Sequence, residues 1–333
     1  MKKYKIGIFG ATGMVGKEIL NVLFERKFPI EFLNLYASEK SAGQKIKTQF
    51  GEIILRNANR ADYNKLDIAF FAIGGEWSKL NAKKATSNNC IVIDNSSTFR
   101  YDENIPLVIP EINPDAVKNS LLIANPNCTT AIASIPLWQI YKNYGLKKII
   151  ISTYQAASGA GAQGIEELKI ETTKFLKGEK TGNKIFQHSL AFNLIPHIDV
   201  FQKNGYTKEE MKVVWEIKKI FNDENIKISC SCVRVPIMRA HSESILVETE
   251  KKVDIRKIKN IFQNADGIQI RDDIKNRVYP MPLTASGKYS VEVGRIRNSL
   301  IFGKNGLEFF VCGDQILKGA ALNVVQIAEL IIN

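Results

Sequence analysis

Gly10-Ala11-Thr12-Gly13-Met14-Val15-Gly16 follows a short apolar run, Tyr4-Lys5-Ile6-Gly7-Ile8-Phe9. It precedes a stretch with Ile19, Leu20, Val22 and Leu23 at helical spacing. A strand, a glycine turn and a helix in that order let backbone N–H groups approach a pyrophosphate at the helix N-terminus. The spacing is GxxGxxG, a variant of the commoner dinucleotide fingerprint. Taken alone, it also suits a tight strand-to-helix turn without a ligand. Apolar runs at 32–37, 67–73, 90–94 and 121–124 continue the pattern, with a helix over 14–26 and another over 77–86. Strands separated by helices predict an α/β fold with a parallel, doubly wound sheet of Rossmann type.

After Cys128 the pattern changes. A helix over 129–144 ends near Gly145, and a strand follows at 148–153. Further strands are expected at 227–235 and 243–250, with helices near 162–177 and 208–221. This half reads as an α+β domain with a mixed sheet and helices on one face. The tail, 318–332, is helical and mostly apolar, and is expected to pack back onto the first domain. A length of 333 residues suits two domains. The expected division is a nucleotide-binding domain, 1–128 plus about 315–333, and a second domain, 129–314.

Several function classes drop out on composition. The net charge is +12, but the lysines are scattered among acids and apolar residues, with no basic block. That argues for a solvated surface and against nucleic acid, while favouring anionic small molecules near a cleft. Five cysteines and no export signal speak against a disulfide framework. Three histidines and no second CxxC beside Cys230-Ser231-Cys232 speak against zinc. No stretch approaches the roughly 20 apolar residues that span a bilayer, so the expected location is the cytoplasm.

The second strand ends at Ser38-Glu39-Lys40-Ser41, where an NAD site would carry a carboxylate for the ribose hydroxyls. Hydroxyls at Ser38 and Ser41 with Lys40 suit a 2′-phosphate, so NADP is favoured; Glu39 opposes that reading. Cys128 lies in Asn125-Pro126-Asn127-Cys128-Thr129-Thr130, where a helix should begin. Asn127 or Thr129 can cap it, and a thiol at the positive end of a helix is activated as a nucleophile. A nucleotide turn with an activated cysteine points to covalent oxidation of an aldehyde through a thioester. His188 and His197 fall in a loop and read as structural. His241, between two strands, is the candidate base, and Arg234 and Arg239 close by suit an anionic substrate. The residues alone do not choose between the two arginines.

GATGMVG (10–16), DNSSTFR (94–100), NPNCTT (125–130), QAASGAG (155–161), EIKKI (216–220), RVPIMRAHS (234–242) and GAALNVVQ (319–326) occur in that order. Together they resemble the aspartate-β-semialdehyde dehydrogenase family from residue 5 to residue 330. The resemblance implies NADP-dependent reductive dephosphorylation of aspartyl phosphate to aspartate semialdehyde, in lysine, threonine and methionine biosynthesis. It makes the second domain the catalytic and dimerisation domain. It also implies Cys128 as nucleophile, Gln155 positioning the substrate, Arg234 binding its carboxylate and His241 as acid/base. Arg100, Asn127 and Lys219 would hold phosphate, with Glu216 on the substrate amine. Gly10, Thr12, Gly13, Met14, Val15 and Gly16 would cradle the cofactor. Ser158, Gly159 and Asn323 would touch its nicotinamide end. The expected assembly is a homodimer or a tetramer.

Two other readings compete. N-acetylglutamyl-phosphate reductase shares the cysteine–histidine logic, but its acylated substrate offers no amine for a carboxylate to hold. A non-catalytic NADP-binding sensor would leave Cys128, Gln155, Arg234 and His241 without a task. Tyr144 and Lys148 match the Tyr-x-x-x-Lys spacing of short-chain reductases, but Gly145 breaks the helical face they would need.

Overall fold

The computed structural model describes residues 2–332. The chain divides into two compact units, Met1–Asn127 with Ala320–Asn333, and Cys128–Gly319. Among the described residues, no helix is long and apolar enough to cross a membrane.

In the first unit the chain runs β1 (Tyr4–Phe9), α1 (Met14–Glu25), β2 (Ile30–Ala37), β3 (Lys45–Thr48), β4 (Gly51–Ile54) and β5 (Arg56–Asn57). It continues with β6 (Ile68–Phe71), α2 (Gly75–Thr86), β7 (Ile91–Asp94) and β8 (Leu122–Ala124). Six strands form one parallel sheet in the order β5-β2-β1-β6-β7-β8. Residues 6–9 and 68–71 are buried without interruption, as expected of strands covered on both faces. The order reverses between β1 and β6, and at that switch point the end of β1 delivers the glycine turn. β3 and β4 form a separate antiparallel hairpin that the sequence patterns did not predict.

The last helix, Leu322–Ile332, completes this unit. It packs against α1, and Glu329 accepts two hydrogen bonds from Arg26, both at 2.6 Å. Asn323 Nδ2 donates to Val108 O at 2.9 Å and to Asn125 Oδ1 at 2.7 Å.

The second unit runs α3 (Cys128–Tyr144), β9 (Lys148–Gln155), α4 (Gly161–Leu176), α5 (Lys208–Phe221), β10 (Lys227–Arg234) and β11 (His241–Glu248). After these come α6 (Ile255–Gln263), β12 (Ile268–Ile270), α7 (Pro282–Ala285), β13 (Val291–Ser299) and β14 (Gly303–Gly313). Its sheet is mixed, in the order β10-β9-β11-β14-β13-β12. In β9, Ile149, Ile151, Thr153 and Gln155 are buried while Lys148, Ile150 and Tyr154 are exposed. That alternation is the signature of a sheet whose helices cover one face. β11 begins at His241, two residues before the expected 243, and a two-residue shift leaves every side chain on its face.

Candidate active site

Register builds the core of the site. β9 and β10 are parallel, with Arg234 opposite Gln155. β11 is antiparallel to β9, and Ser242 opposite Tyr154 brings His241 level with Gln155. Arg234, Gln155 and His241 therefore stand side by side on the covered face, at one end of the sheet.

Ala156, the next residue of the chain, ties the outer two together. Its N–H donates to His241 Nδ1 at 3.0 Å, and its carbonyl accepts from Arg234 Nη1 at 2.6 Å. Because Nδ1 is an acceptor, the imidazole proton sits on Nε2. Nε2 is buried and makes no hydrogen bond within the protein. Burial, reinforced by the Arg234 charge, lowers the His241 pKa to about 3, so the ring is neutral at physiological pH. In this state the ring presents a neutral N–H donor at Nε2. Gly159 completes the cluster. A Cβ there would lie 2.6 Å from Arg234 Nη1 and 3.3 Å from His241 Cε1, so a larger residue in the turn after β9 would displace the Arg234 fork.

A carboxylate faces this row from α5. Thr207 caps the helix in a capping box with Glu210, whose other oxygen accepts from Cys232 N at 3.0 Å and so fixes the helix start to β10. The first turn thus presents Glu209, which accepts from Gln155 Nε2 at 3.1 Å. Lys212, one turn on, bonds Glu209 Oε2 at 2.8 Å and Asp199 Oδ2 at 2.7 Å. Burial disfavours the Lys212 ammonium, but Glu209 and Asp199 outweigh that and hold its pKa above the ordinary lysine value. The charge of Glu209 also reaches Arg234 and His241.

Cys128 is the first residue of α3, whose first turn holds no acidic residue. It is partly exposed, while the other four cysteines are buried. Its charge, when ionised, acts on Arg234. A Cβ at Gly319 would lie 2.7 Å from Cys128 Cβ and 3.0 Å from its Cα, so glycine leaves the cysteine its room. Arg239 turns elsewhere, pairing with Asp314 at 2.6 Å. The adjacent Gln315 accepts from Ala240 N at 2.8 Å and donates to Ser158 Oγ, steadying both chain segments beside His241.

The first unit offers a cradle of the kind a dinucleotide needs. Gly10 has φ +82°, and a Cβ on it would lie 2.1 Å from Ala72 O. A Cβ on Gly16 would lie 2.3 Å from Gly10 O. Gly13 caps α1 without any side-chain hydrogen bond, and no acid occupies the first turn, which leaves the helix end fit for a phosphate. Thr12 is exposed, and Met14 and Val15 are partly so. Ser38, Glu39 and Lys40 are exposed just after β2, with Ser41 half-buried.

Two family models match the chain: semialdehyde dehydrogenase, NAD binding domain, over residues 5–120, and semialdehyde dehydrogenase, dimerisation domain, over residues 137–318. The aspartate-semialdehyde dehydrogenase of Aquifex aeolicus is 46% identical over 99% of this chain and 98% of that protein. That of Bacillus subtilis is 43% identical, over 97% and 96%. The chain belongs to the aspartate-semialdehyde dehydrogenases. The crystal structure of aspartate semialdehyde dehydrogenase II from Vibrio cholerae complexed with ASA superposes with a TM-score of 0.97 at 42% identity, covering 100% of this chain and 99% of that one. Membership carries a nicotinamide cofactor with it.

The carboxylate that bonds Gln155 is Glu209, itself paired with Lys212; the sequence patterns singled out neither. Glu216 and Lys219 repeat the same E-x-x-K spacing seven residues later, on the same stripe of α5, with Glu216 fully buried. Asn323, expected at the nicotinamide, donates its amide hydrogens to Val108 and Asn125. Arg100 is buried, and its Nη2 donates to Asn95 O at 3.0 Å within the 94–100 loop. Asn127, immediately before Cys128, is also buried.

Proposed function

We infer that this enzyme interconverts L-aspartate 4-semialdehyde and L-4-aspartyl phosphate, using NADP and inorganic phosphate, through a thioester on Cys128. The observation that carries the reading is the set Arg234–Gln155–His241 with Glu209 hydrogen-bonded to it. A guanidinium and a carboxylate held this close suit an α-amino acid head, with Arg234 taking the carboxylate bidentately and Glu209 the ammonium. An N-acylated substrate offers no ammonium for Glu209 to hold, which disfavours N-acetylglutamyl-phosphate reductase.

In the oxidative direction, Cys128 sulfur attacks the aldehyde carbon and the carbonyl electron pair moves to oxygen. His241 Nε2–H is the donor for that oxyanion, a role that needs no change in its protonation. A bound nicotinamide would supply the hydride acceptor. Departure of hydride from the carbon leaves a thioester on Cys128. Phosphate then attacks the thioester carbonyl, forming the acyl phosphate and returning the thiolate. Arg100 and Asn127 stay with phosphate on the strength of the family resemblance, as does Lys219. Hydroxyls and Lys40 after β2 favour NADP. The product feeds lysine, threonine and methionine synthesis. The dimerisation-domain match supports a homodimer, to be seen in light scattering at about twice the 37.4 kDa of the chain.

The test is a coupled assay with aspartate semialdehyde beside N-acetylglutamate semialdehyde, each with phosphate and NADP. Turnover of the first alone, abolished in Cys128→Ala, is the expected result. Near-normal turnover in Cys128→Ala would overturn the covalent route.

A further inference from the structure

After α4 the chain doubles back as a strap, and its anchoring is unusual. Two glutamates one turn apart on α4 accept backbone N–H groups from the strap. Glu167 takes those of Lys184 at 2.7 Å, Ile185 at 2.8 Å and Phe186 at 3.1 Å. Glu171 takes those of Leu190 at 2.8 Å and Ala191 at 3.2 Å. Charge-assisted bonds to successive amides define a backbone far more tightly than side-chain packing alone.

The strap ends on Arg234. Ile195 and Arg234 exchange both backbone hydrogen bonds, at 2.9 Å and 2.8 Å. Phe186 is buried in the strap, and its ring centroid lies 5.7 Å from the Arg234 guanidinium carbon. Gly164 on α4 gives the ring its space, since a Cβ there would sit 3.0 Å from Phe186 Cζ and 2.5 Å from Ala157 O. A guanidinium over an aromatic face is attracted by the ring quadrupole, and a desolvated pair gains most. Arg234 therefore has a set position at its backbone, a hydrogen bond from Nη1 to Ala156 O, and its guanidinium carbon over the Phe186 ring.

We propose that Phe186 is a positioning residue for substrate recognition: it orients the Arg234 fork toward the substrate α-carboxylate, and Glu167 acts through it by fixing the strap. This rests on the reading of Arg234 as the carboxylate anchor. A bidentate fork holds a carboxylate well only in one plane, so losing the ring weakens substrate binding before it touches the bond-making atoms.

Steady-state kinetics with saturating phosphate and NADP test the proposal on Phe186→Leu, Phe186→Tyr and Glu167→Gln. A fourth protein carries pentafluorophenylalanine at position 186, which keeps the ring shape and inverts its quadrupole. For aspartate semialdehyde, Phe186→Leu and the fluorinated ring should each raise KM about tenfold, with kcat within about twofold. Phe186→Tyr should restore the wild-type KM, and Glu167→Gln should fall between. The control substrate is 3-aminopropanal, which keeps the aldehyde and amine but lacks the α-carboxylate; Phe186→Leu should leave its kcat/KM unchanged. An equal loss on both aldehydes, or a fall in kcat at unchanged KM, would overturn the proposal. So would a wild-type KM with the fluorinated ring, whose face no longer attracts the guanidinium. Arg234→Ala checks the underlying reading separately: an unchanged KM for aspartate semialdehyde there would remove the carboxylate anchor itself.

Discussion

Ala156 donates its backbone N–H to His241 Nδ1 at 3.0 Å, and that one bond decides what the histidine can do. With Nδ1 occupied as an acceptor, only Nε2 carries a proton. Replacement should follow suit. His241→Ala is expected to lower kcat about 10²- to 10³-fold, the usual cost of losing an oxyanion donor, and His241→Gln, which keeps an N–H, should lose less. Equal losses in the two variants would count against the donor role.

The same histidine should couple stability to pH. Its folded pKa, about 3, lies below the ordinary value of 6.5. Between those limits the unfolded chain binds a proton that the folded state refuses. Stability therefore falls as pH drops through 6.5 toward 3, by up to about 1.4 kcal/mol per pH unit. Urea melts of wild type and His241→Gln at pH 7, 6 and 5 should show the wild type losing its relative stability as the solution is acidified. Parallel curves would contradict a buried neutral imidazole.

Glu243, two residues further along β11, is fully buried, and neither carboxyl oxygen has a hydrogen-bond partner. Burial raises its pKa well above the usual carboxylate value. The unfolded chain gives up this proton near pH 4.5 while the folded chain retains it, so the folded state loses ground as pH rises. Glu243→Met removes the buried polar group at similar volume and should stabilise the protein by about 1–3 kcal/mol at pH 8. The gain should be smaller at pH 5. A gain independent of pH would mean that the carboxyl does not titrate in this way.

Glu209 is the carboxylate that Gln155 finds, at 3.1 Å. Glu209→Gln keeps the shape and removes the charge proposed to meet the substrate ammonium. We expect kcat/KM for aspartate semialdehyde to fall by about 1.5–3 kcal/mol, the range for hydrogen bonds to charged groups, mostly through KM. A fall confined to kcat would assign Glu209 a different task.

Gly319 stands against Cys128, and a methyl group there would have to displace it. A shift near 1 Å at a reacting atom can cost about 10²-fold. Gly319→Ala should therefore depress turnover and slow iodoacetamide labelling of Cys128 together. Normal labelling with lost turnover would place the damage elsewhere.

Much of this molecule was legible in its sequence, because the decisive signals were local. The strand, glycine turn and helix over residues 4–25 appear where periodicity puts them, and so do α5 and the seven further strands expected between residues 32 and 250. No element was expected between 251 and 317, yet that stretch holds α6, β12, α7, β13 and β14. In β13, Glu292, Arg295 and Arg297 hide the strand pattern; Glu292 is tolerated inside because Lys288 reaches it at 2.8 Å. The choice between Arg234 and Arg239 needed the register of β9 and β10 and the Asp314 partner. Two E-x-x-K pairs lie one heptad apart on α5, and helical periodicity cannot tell them apart. The capping box at Thr207 seats the first turn beside Gln155, and so brings Glu209 to its amide. The tautomer of His241 lies beyond any sequence pattern, since it follows from a backbone amide 85 residues away.

Asn323 reaches back 198 residues to grip Asn125. During synthesis Asn125 is made long before Asn323, with the whole of the second unit between them. The first unit therefore lacks this brace, and the contacts of Leu322–Ile332 with α1, while the second unit is being translated. A chain stopped before Leu322 would keep Cys128, His241 and both arginines and still lack the helix that grips Asn125.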